Sequence, residues 1–366
     1  MNDPRIAKLA RVLVRYSLDL HEGDLLVIRT TPLAAPLVRE VYREALAVGA
    51  HPSTRIVLEE ADEAFYKYAS DAQLDYLTPA QYAEYEHPRA LLAIDAEANR
   101  KNLSGIEPAR ISRRLAATRK LSNILDRREM AGEMVWNRTQ FPTEAAAQDA
   151  DMSLSDYEDF VYGAGKLGEA DPVAAWRTVE REQQRIADIL NTKRVIRLVS
   201  PDTDLTYETA GRAWINANGT RNFPDGEVFT SPDETKTEGH VRFTYPAVYQ
   251  GREVEDVRLT FREGRVVEAT AAKGQDYLET LLNSDEGARR LGEAAFGLNY
   301  DISRFTRNIL FDEKLGGTIH LALGESFHQI GGKNTSAIHW DMICDMREGE
   351  AYADGELIYK NSHFIV

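Results

Sequence analysis

Residues 25–58 read LLVIRTTPLAAPLVREVYREALAVGAHPSTRIVL, and this stretch decides the fold of the first half of the 366-residue chain. The apolar run at 25–28 predicts a short buried strand, and residues 54–58 predict a second one. Between them, residues 34–48 predict a helix, with Pro36 tolerated in its first turn and Gly49 near its end. Strand, helix and strand in this order, with a further strand expected at 91–94, indicate a parallel α/β layer.

The rest of the chain extends this layer in both directions. Apolar residues at helical spacing from Ile6 to Leu13 predict an opening helix. Residues 127–166 are expected to be irregular and helical, and 171–191 to form a long polar connector helix. β-rich segments follow, with helices expected between them; the strands are predicted at 195–199, 241–245, 257–261 and 266–269, and the helices at 276–282 and 286–295.

These elements predict an α/β protein with two domains. Residues 1–190 are expected to form an N-terminal α/β domain with parallel strands and the connector helix. Residues 191–366 are expected to form a C-terminal mixed α+β domain. A chain of 366 residues is too long for one ordinary hydrophobic core, which supports the division.

Composition limits the classes of protein to consider. The chain carries 59 acidic and 44 basic residues, for a net charge of −15. Such an excess argues against a nucleic-acid surface, which needs clustered lysine and arginine. No window approaches the ~18 apolar residues that span a bilayer, so no membrane segment is expected. Cys344 is the only cysteine, which excludes an intrachain disulfide and makes the reducing cytoplasm the expected location.

One motif of three glycines is rejected as a nucleotide site. Gly163, Gly165 and Gly168 form a Gly-x-Gly-x-x-Gly pattern. The dinucleotide fingerprint needs a strand before the glycines and a helix after them. The preceding residues, 157–162, are acidic and aromatic and favour a helix, so the glycines are interpreted as a helix end.

The first candidate for chemistry is the alternating segment 336–343, SAIHWDMI. On a strand, His339 and Asp341 point to the same side, roughly 6–7 Å apart along the backbone. Their neighbours Ile338, Trp340 and Met342 are apolar, so at least one face of the strand is expected to be buried. Buried charged groups need a partner or a metal. The segment alone is compatible with a metal site and with a buried hydrogen-bonded pair.

Three further residues extend this candidate site. His320 lies in the apolar run GTIHLALG, where a lone histidine is more often a satisfied core residue. Glu293 lies on the small, apolar part of the helix expected at 286–295, and Glu227 follows a Pro/Gly turn at the head of a short apolar strand. Each signal is weak alone. Together the two glutamates, two histidines and one aspartate form a donor set suited to Zn²⁺, Co²⁺ or Mn²⁺, and large enough for two ions ~3.5–4 Å apart.

Four ordered motifs of the chain resemble the thermophilic aminopeptidase family of metallopeptidases. They are Asn222-x-Pro224-x-Gly226-Glu227-Val228-Phe229, Leu291-Gly292-Glu293, His320-x-Ala322-Leu323-Gly324 and Asn334-x-Ser336-x-x-His339-x-Asp341. The resemblance implies that Glu227, Glu293, His320, His339 and Asp341 bind two divalent ions per chain, of Zn, Co, Mn or Mg. It also implies a catalytic C-terminal domain, a homodimer, and release of amino acids from peptides with a free N-terminus.

One position departs from the family pattern. The family usually has a tyrosine seven residues after the first histidine ligand, where it is thought to assist catalysis, and this chain has Phe327 there. Phenylalanine has no hydroxyl group to donate. The adjacent His328 is either a replacement proton donor or an ordinary loop residue. Two alternative functions stay open: a two-metal hydrolase of another amide or ester, and a catalytically weak relative that binds peptides.

Overall fold

The computed structural model describes residues 3–366. Its helices are α1 (Pro4–Val12), α2 (Ala35–Ala47), α3 (Glu59–Tyr68), α4 (Asp71–Asp75), α5 (Pro79–Glu86), α6 (Pro108–Met130), α7 (Glu144–Asp149), α8 (Leu154–Ala164), α9 (Pro172–Leu190), α10 (Gln275–Leu282) and α11 (Ile309–Asp312). Within residues 3–366, no helix combines the length and the apolar character that crossing a bilayer requires.

The strands alternate with helices in the first half of the chain and dominate the second. They are β1 (Leu25–Thr30), β2 (His51–Ile56), β3 (Ala90–Asp95), β4 (Val135–Gln140), β5 (Val195–Ser200), β6 (Thr203–Glu208), β7 (Ile215–Ala217), β8 (Asn222–Phe223), β9 (Glu227–Thr230), β10 (Thr237–Arg242), β11 (Ala247–Tyr249), β12 (Arg252–Val254), β13 (Arg258–Arg262), β14 (Arg265–Thr270), β15 (Leu291–Gly297), β16 (Thr318–Gly324), β17 (His339–Asp345), β18 (Glu350–Ala353), β19 (Glu356–Lys360) and β20 (His363–Phe364).

One compact unit contains the described residues up to Ala175 together with Gly219–Pro224. Its sheet has the order β2-β1-β3-β4-β8, and every neighbouring pair is parallel. Helix α2 connects β1 to β2 and buries Leu37, Val41 and Ala45, which recur at the four-residue spacing of one helix face. The parallel α/β layer predicted from residues 25–58 is therefore confirmed.

The irregular and helical character predicted for residues 127–166 is wrong for part of that range. Strand β4 lies there and pairs with β3 on one side and β8 on the other. Its sequence, VWNRTQ, is too polar to resemble a buried strand, yet Asn137, Thr139 and Gln140 are almost fully buried. The pairing on both sides supplies the stabilisation that the side chains lack, and local sequence does not reveal such partners.

The three-glycine motif is part of a helix end, as its sequence context indicated. Helix α8 lies where a nucleotide site would need a strand, and it ends at Ala164, between the first two glycines of the motif. The amide of Gly165 donates to the carbonyl of Val161 and closes the final turn.

A second compact unit contains Trp176–Asn218 and Asp225–Val366. It has an eight-stranded sheet, β14-β13-β10-β6-β5-β18-β19-β20, a five-stranded sheet, β17-β16-β15-β9-β7, and the β11-β12 hairpin, all with antiparallel pairs. One hydrophobic cluster includes residues of both larger sheets. The domain limits 1–190 and 191–366 stay a prediction, and residues 1 and 2 lie outside the described part.

The helix predicted at 286–295 is wrong. Residues 287–289 form a single 3₁₀ turn, and Leu291–Gly297 is strand β15, which is buried along its whole length. β15 lies between β16 and β9, so both of its edges are paired. A Cβ atom on Gly292 would lie 2.2 Å from the Glu325 carbonyl oxygen, so a glycine is needed at this close approach.

Candidate metal centre

Antiparallel pairing places the five predicted site residues on one face of the β17-β16-β15-β9 sheet. Residues directly opposite each other in an antiparallel pair share a face, as do alternate residues of one strand. The relevant opposite pairs are Gly324–His339, Ala322–Asp341, Glu293–Ala322, Ala295–His320 and Gly297–Glu227. The same rule places Trp340, Met342 and Cys344 on the other face, and all three belong to the hydrophobic cluster. One face of this sheet therefore carries the polar site and the other faces the core.

The side chains on the polar face meet at their functional ends. His320 Nε2 lies 3.5 Å from Glu227 Oε2 and 3.6 Å from Glu293 Oε1. His339 Nε2 lies 3.0 Å from Glu293 Oε2 and 3.6 Å from Asp341 Oδ1. The structure thus brings all five residues into one cluster, with Glu293 between the two imidazoles.

Backbone hydrogen bonds set the orientation of both imidazoles. His320 Nδ1 lies 3.0 Å from the Glu313 carbonyl oxygen, and His339 Nδ1 lies 2.8 Å from the Glu325 carbonyl oxygen. A carbonyl oxygen can only accept, so each Nδ1 carries the hydrogen. In the neutral ring, Nε2 then presents its lone pair to the carboxylates. Metal-binding histidines commonly have this arrangement, because the second hydrogen bond fixes the ring.

Several buried polar atoms of the cluster have no hydrogen-bond partner. They are Glu227 Oε2, His320 Nε2 and Asp341 Oδ1. Leaving a buried polar atom unpaired costs roughly 1–3 kcal/mol, so such atoms concentrated in one place need an explanation. A cation bound among them would satisfy all three. The nitrogen and oxygen donors present fit a borderline divalent ion such as Zn²⁺, Co²⁺ or Mn²⁺.

The donor atoms form two overlapping groups of three. One consists of Glu293, His339 and Asp341, and the other of Glu313, His320 and Asp341; within each group the donor atoms lie within 4.8 Å of one another. Asp341 belongs to both groups, so the two groups share one carboxylate. The geometry can therefore hold one ion in each group.

Glu313 is a donor that the sequence motifs did not include. It follows α11, seven residues before His320, in the segment DEKLGGT. A Glu-Lys pair before two glycines resembles an exposed turn, whereas the fold buries the Lys314 side chain completely and leaves that of Glu313 only 16% exposed. An acidic residue just before a histidine-bearing apolar strand is the signal that could have identified it.

The charges in the cluster shift the pKa values of its members strongly. Burial disfavours the Glu293 carboxylate, but the neighbouring imidazoles of His320 and His339 outweigh burial and lower its pKa to about 2. Burial disfavours the His320 imidazolium, but Glu293 and Glu227 outweigh it and raise the pKa of His320 to about 10. Burial also raises the pKa of Glu227. Positive charge therefore stabilises the carboxylates on this face of the sheet.

Phe327 lies directly beside this cluster. Its ring centroid is 5.4 Å from that of His339, in an edge-on arrangement, and 5.1 Å from that of Phe229. The Phe327 amide donates to Ser231 Oγ, 3.0 Å away, which anchors the loop after β16. Phe327, seven residues after His320, therefore lies next to the cluster.

His328 begins a 3₁₀ turn, His328–Ile330, and points elsewhere. Its Nδ1 lies 2.9 Å from the Gly332 carbonyl oxygen, and its Nε2 lies 3.2 Å from Glu325 Oε1. Its side chain is 54% exposed. These partners lie outside the five-residue cluster, and the role of His328 as a proton donor stays a prediction.

Comparisons with known proteins place the chain in a family. The sequence model of the family described as "Thermophilic metalloprotease (M29)" matches residues 2–364. The chain therefore belongs to this family of metalloproteases.

Individual relatives agree over nearly the full chain. Aminopeptidase 2 of Geobacillus stearothermophilus is 32% identical, over 89% of this chain and 84% of its own length. Aminopeptidase T of Thermus thermophilus is 29% identical, over 96% of this chain and 95% of its own length. The solved structure of wild-type AmpT from Thermus thermophilus superposes with a TM-score of 0.86 at 26% identity, covering 99% of each chain. This chain therefore shares its α/β fold with this relative.

Proposed function

We propose that this protein is a metal-dependent aminopeptidase that releases N-terminal amino acids from peptides through a water molecule activated by two divalent ions. Family membership supports metal-dependent proteolysis, and relatives named aminopeptidases support the exopeptidase reaction. The observation that carries the two-metal part is the pair of donor groups that share Asp341.

Glu293, His339 and Asp341 would hold one ion, and Glu313, His320 and Asp341 would hold the other. Glu227 adds a further oxygen beside His320. When bound, such ions lower the pKa of a coordinated water towards neutrality and polarise the carbonyl of the scissile bond. The ions are Zn²⁺, Co²⁺, Mn²⁺ or Mg²⁺.

The protein's own residues position the ligands and move a proton. A carboxylate of the cluster accepts a proton from the attacking water and delivers it to the leaving amine. The two candidates are Glu227 and Glu293, each of which has an oxygen within 3.6 Å of His320 Nε2.

The substrates, the oligomeric state and the cellular location are those expected from the sequence. The substrates are peptides with a free N-terminus, and the protein acts as a homodimer; both points rest on the family resemblance. A cytoplasmic location rests on the single cysteine, Cys344, which lies buried and unpaired.

A panel of aminoacyl-arylamides tests the activity. The protein is dialysed against a chelator and then assayed with added Co²⁺, Zn²⁺, Mn²⁺ or Mg²⁺. We expect hydrolysis only after metal addition, and about two ions per chain by elemental analysis. A folded protein that cannot be loaded with metal would contradict the proposal.

A pair of histidine variants tests the placement of the site. His339→Ala should abolish activity and reduce metal content while the chain stays folded. His240→Ala is the matched control, because His240 lies on β10 with an exposed side chain and should leave both unchanged. Full activity of His339→Ala would show that the site is placed incorrectly.

One observation favours a second candidate, a relative that binds peptides with weak catalysis. Phe327 contacts the ring of His339 but supplies no hydroxyl group. Equilibrium binding of short peptides without turnover of any arylamide or ester would support this candidate. Turnover of esters or other amides without release of N-terminal residues would instead indicate a different two-metal hydrolase.

A further inference from the structure

A lysine is completely buried beside the candidate metal centre. Lys314 follows α11, and its side chain has no exposed surface. Its Nζ lies 3.4 Å from Glu227 Oε1 and 3.8 Å from Asp225 Oδ1, and it also contacts Glu313 Oε1. Burying an unpaired ammonium group costs several kcal/mol. The three carboxylate partners of Lys314 offset this cost.

The contacts of Lys314 divide the oxygens of Glu227 between two tasks. Oε1 faces the ammonium group, whereas Oε2 lies 3.5 Å from His320 Nε2 and has no hydrogen-bond partner. A carboxylate held at one oxygen keeps the other in a fixed direction. Glu313 is held in the same way at Oε1, while its carboxylate takes part in the donor group with His320 and Asp341.

The charge of Lys314 also fits a two-ion site. Glu227, Glu293, Glu313 and Asp341 supply four negative charges, which two divalent ions balance. Asp225, which is buried two residues before β9, adds a fifth carboxylate. The ammonium group balances this extra charge without taking a donor position.

We propose that Lys314 is a positioning residue of the metal centre, whose ammonium group orients Glu227 and Glu313 towards the ion beside His320 and balances Asp225. This inference rests on the proposed two-metal function. It predicts an asymmetry between the two ions. The ion held by Glu293 and His339 depends little on Lys314, whereas the ion beside His320 depends on it strongly.

Titration of the metal-free protein with Co²⁺ tests the assignment. Co²⁺ reports its coordination through its visible absorption bands, so binding and geometry are read without any activity assay. For Lys314→Met we expect one ion to bind as in the wild type and the other to bind about 10–100-fold more weakly, the usual effect of losing a residue that orients ligands. The absorption of the weaker site should also change. Lys273→Met is the control, because Lys273 is an exposed lysine that also pairs with two glutamates, Glu253 and Glu255.

Lys314→Arg keeps the experiment decisive if the methionine variant does not fold. It retains the charge, but the planar guanidinium cannot occupy the position of Nζ, so we expect the second ion to bind with altered absorption bands. Unchanged affinity and bands in Lys314→Arg would overturn the proposal. So would a folded Lys314→Met protein that has only lower thermal stability. A wild-type protein that binds no pair of Co²⁺ ions would instead overturn the two-metal function itself.

Discussion

At the scale of single residues, the chemistry depends on which atom of each side chain is left free. His320 and His339 each use Nδ1 for a backbone carbonyl and leave Nε2 facing carboxylates. Glu227 uses Oε1 for Lys314 and leaves Oε2. The family resemblance implied five of the donor residues, but the free atoms follow from contacts that are distant in sequence.

We expect the lack of a hydroxyl group at Phe327 to limit kcat. A hydroxyl group that stabilises negative charge in the transition state is worth roughly 2.7–4 kcal/mol in comparable oxyanion sites. Since the Phe327 ring lies beside His339, Phe327→Tyr should raise kcat while the metal content stays constant. Steady-state kinetics with one arylamide and elemental analysis measure both quantities.

His328→Ala separates the two interpretations of the neighbouring histidine. The contacts of His328 with Gly332 and Glu325 lead us to expect little change in kcat. A large loss that Phe327→Tyr rescues would show that His328 is the replacement donor. If neither variant alters the rate, this segment does not reach the reacting carbonyl.

Cys344 should be inert in the native protein. Its side chain is fully buried on the core face of β17, and burial raises its pKa to about 11. At pH 8, Ellman's reagent should react with it only as fast as the protein unfolds, whereas the thiol of the unfolded chain, with a pKa near ~8.5, reacts at once. Rapid labelling of the folded protein would contradict this burial.

The same thiol contributes to the pH dependence of stability. Because the folded-state pKa is raised, its contribution is fully present below the pKa of the unfolded chain and is lost as pH rises towards about 11. In urea unfolding between pH 8 and pH 11, the wild type should therefore lose more stability than Cys344→Ala. Equal losses would show that the thiol ionises alike in both states.

At the scale of elements, side chains that alternate along the strands of one antiparallel sheet place the polar site on one face and the hydrophobic core on the other. β17 places His339 and Asp341 on the polar face and Trp340, Met342 and Cys344 in the hydrophobic cluster. The alternation of polar and apolar residues along this strand was visible in the sequence. The register with β16 and β15 was not, because pairing partners lie tens of residues apart.

Gly292 tests how closely β15 must approach the loop after β16. An added Cβ would meet the carbonyl oxygen of Glu325, which accepts the hydrogen bond from His339 Nδ1. Gly292→Ala should therefore destabilise the fold by about 1–3 kcal/mol, as overpacking does, and should weaken metal binding. Thermal unfolding and metal titration measure the two effects.

Gly163→Ala provides the matched control for this substitution. Gly163 lies within helix α8, and a Cβ atom there would meet nothing within 4 Å. Alanine favours a helix over glycine by roughly 0.5–1 kcal/mol, so this variant should be slightly more stable than the wild type and should bind metal normally. If both variants behave alike, the close contact at Gly292 does not matter.

At the scale of the whole molecule, the prediction is a homodimer. This prediction rests on the family resemblance. Wild-type AmpT from Thermus thermophilus, which matches 99% of this chain, is the natural reference for its size. Light scattering at micromolar concentration should give about twice the mass of the 41.2 kDa chain. A monomer that is nevertheless active on arylamides would show that the site does not need a second copy.

Local sequence patterns predicted the parallel layer and the β-rich second half, and the family resemblance predicted five members of the candidate site. Hydrophobic periodicity at residues 25–58 and alternation at 336–343 are local signals, because side-chain direction repeats with the backbone period. Ordered motifs then joined residues that no local pattern connects.

The extended conformation of β4 and β15 and the surroundings of Glu313 and Lys314 follow from tertiary packing. A polar strand such as β4 and a strand rich in small residues such as β15 gain their stability from neighbours on both edges, which local propensity does not encode. Glu313 and Lys314 resemble an exposed ion pair, yet the fold buries Lys314 among Asp225, Glu227 and Glu313. Burial is a property of the packed chain, and the free energy of a charge depends on its surroundings rather than on its residue type.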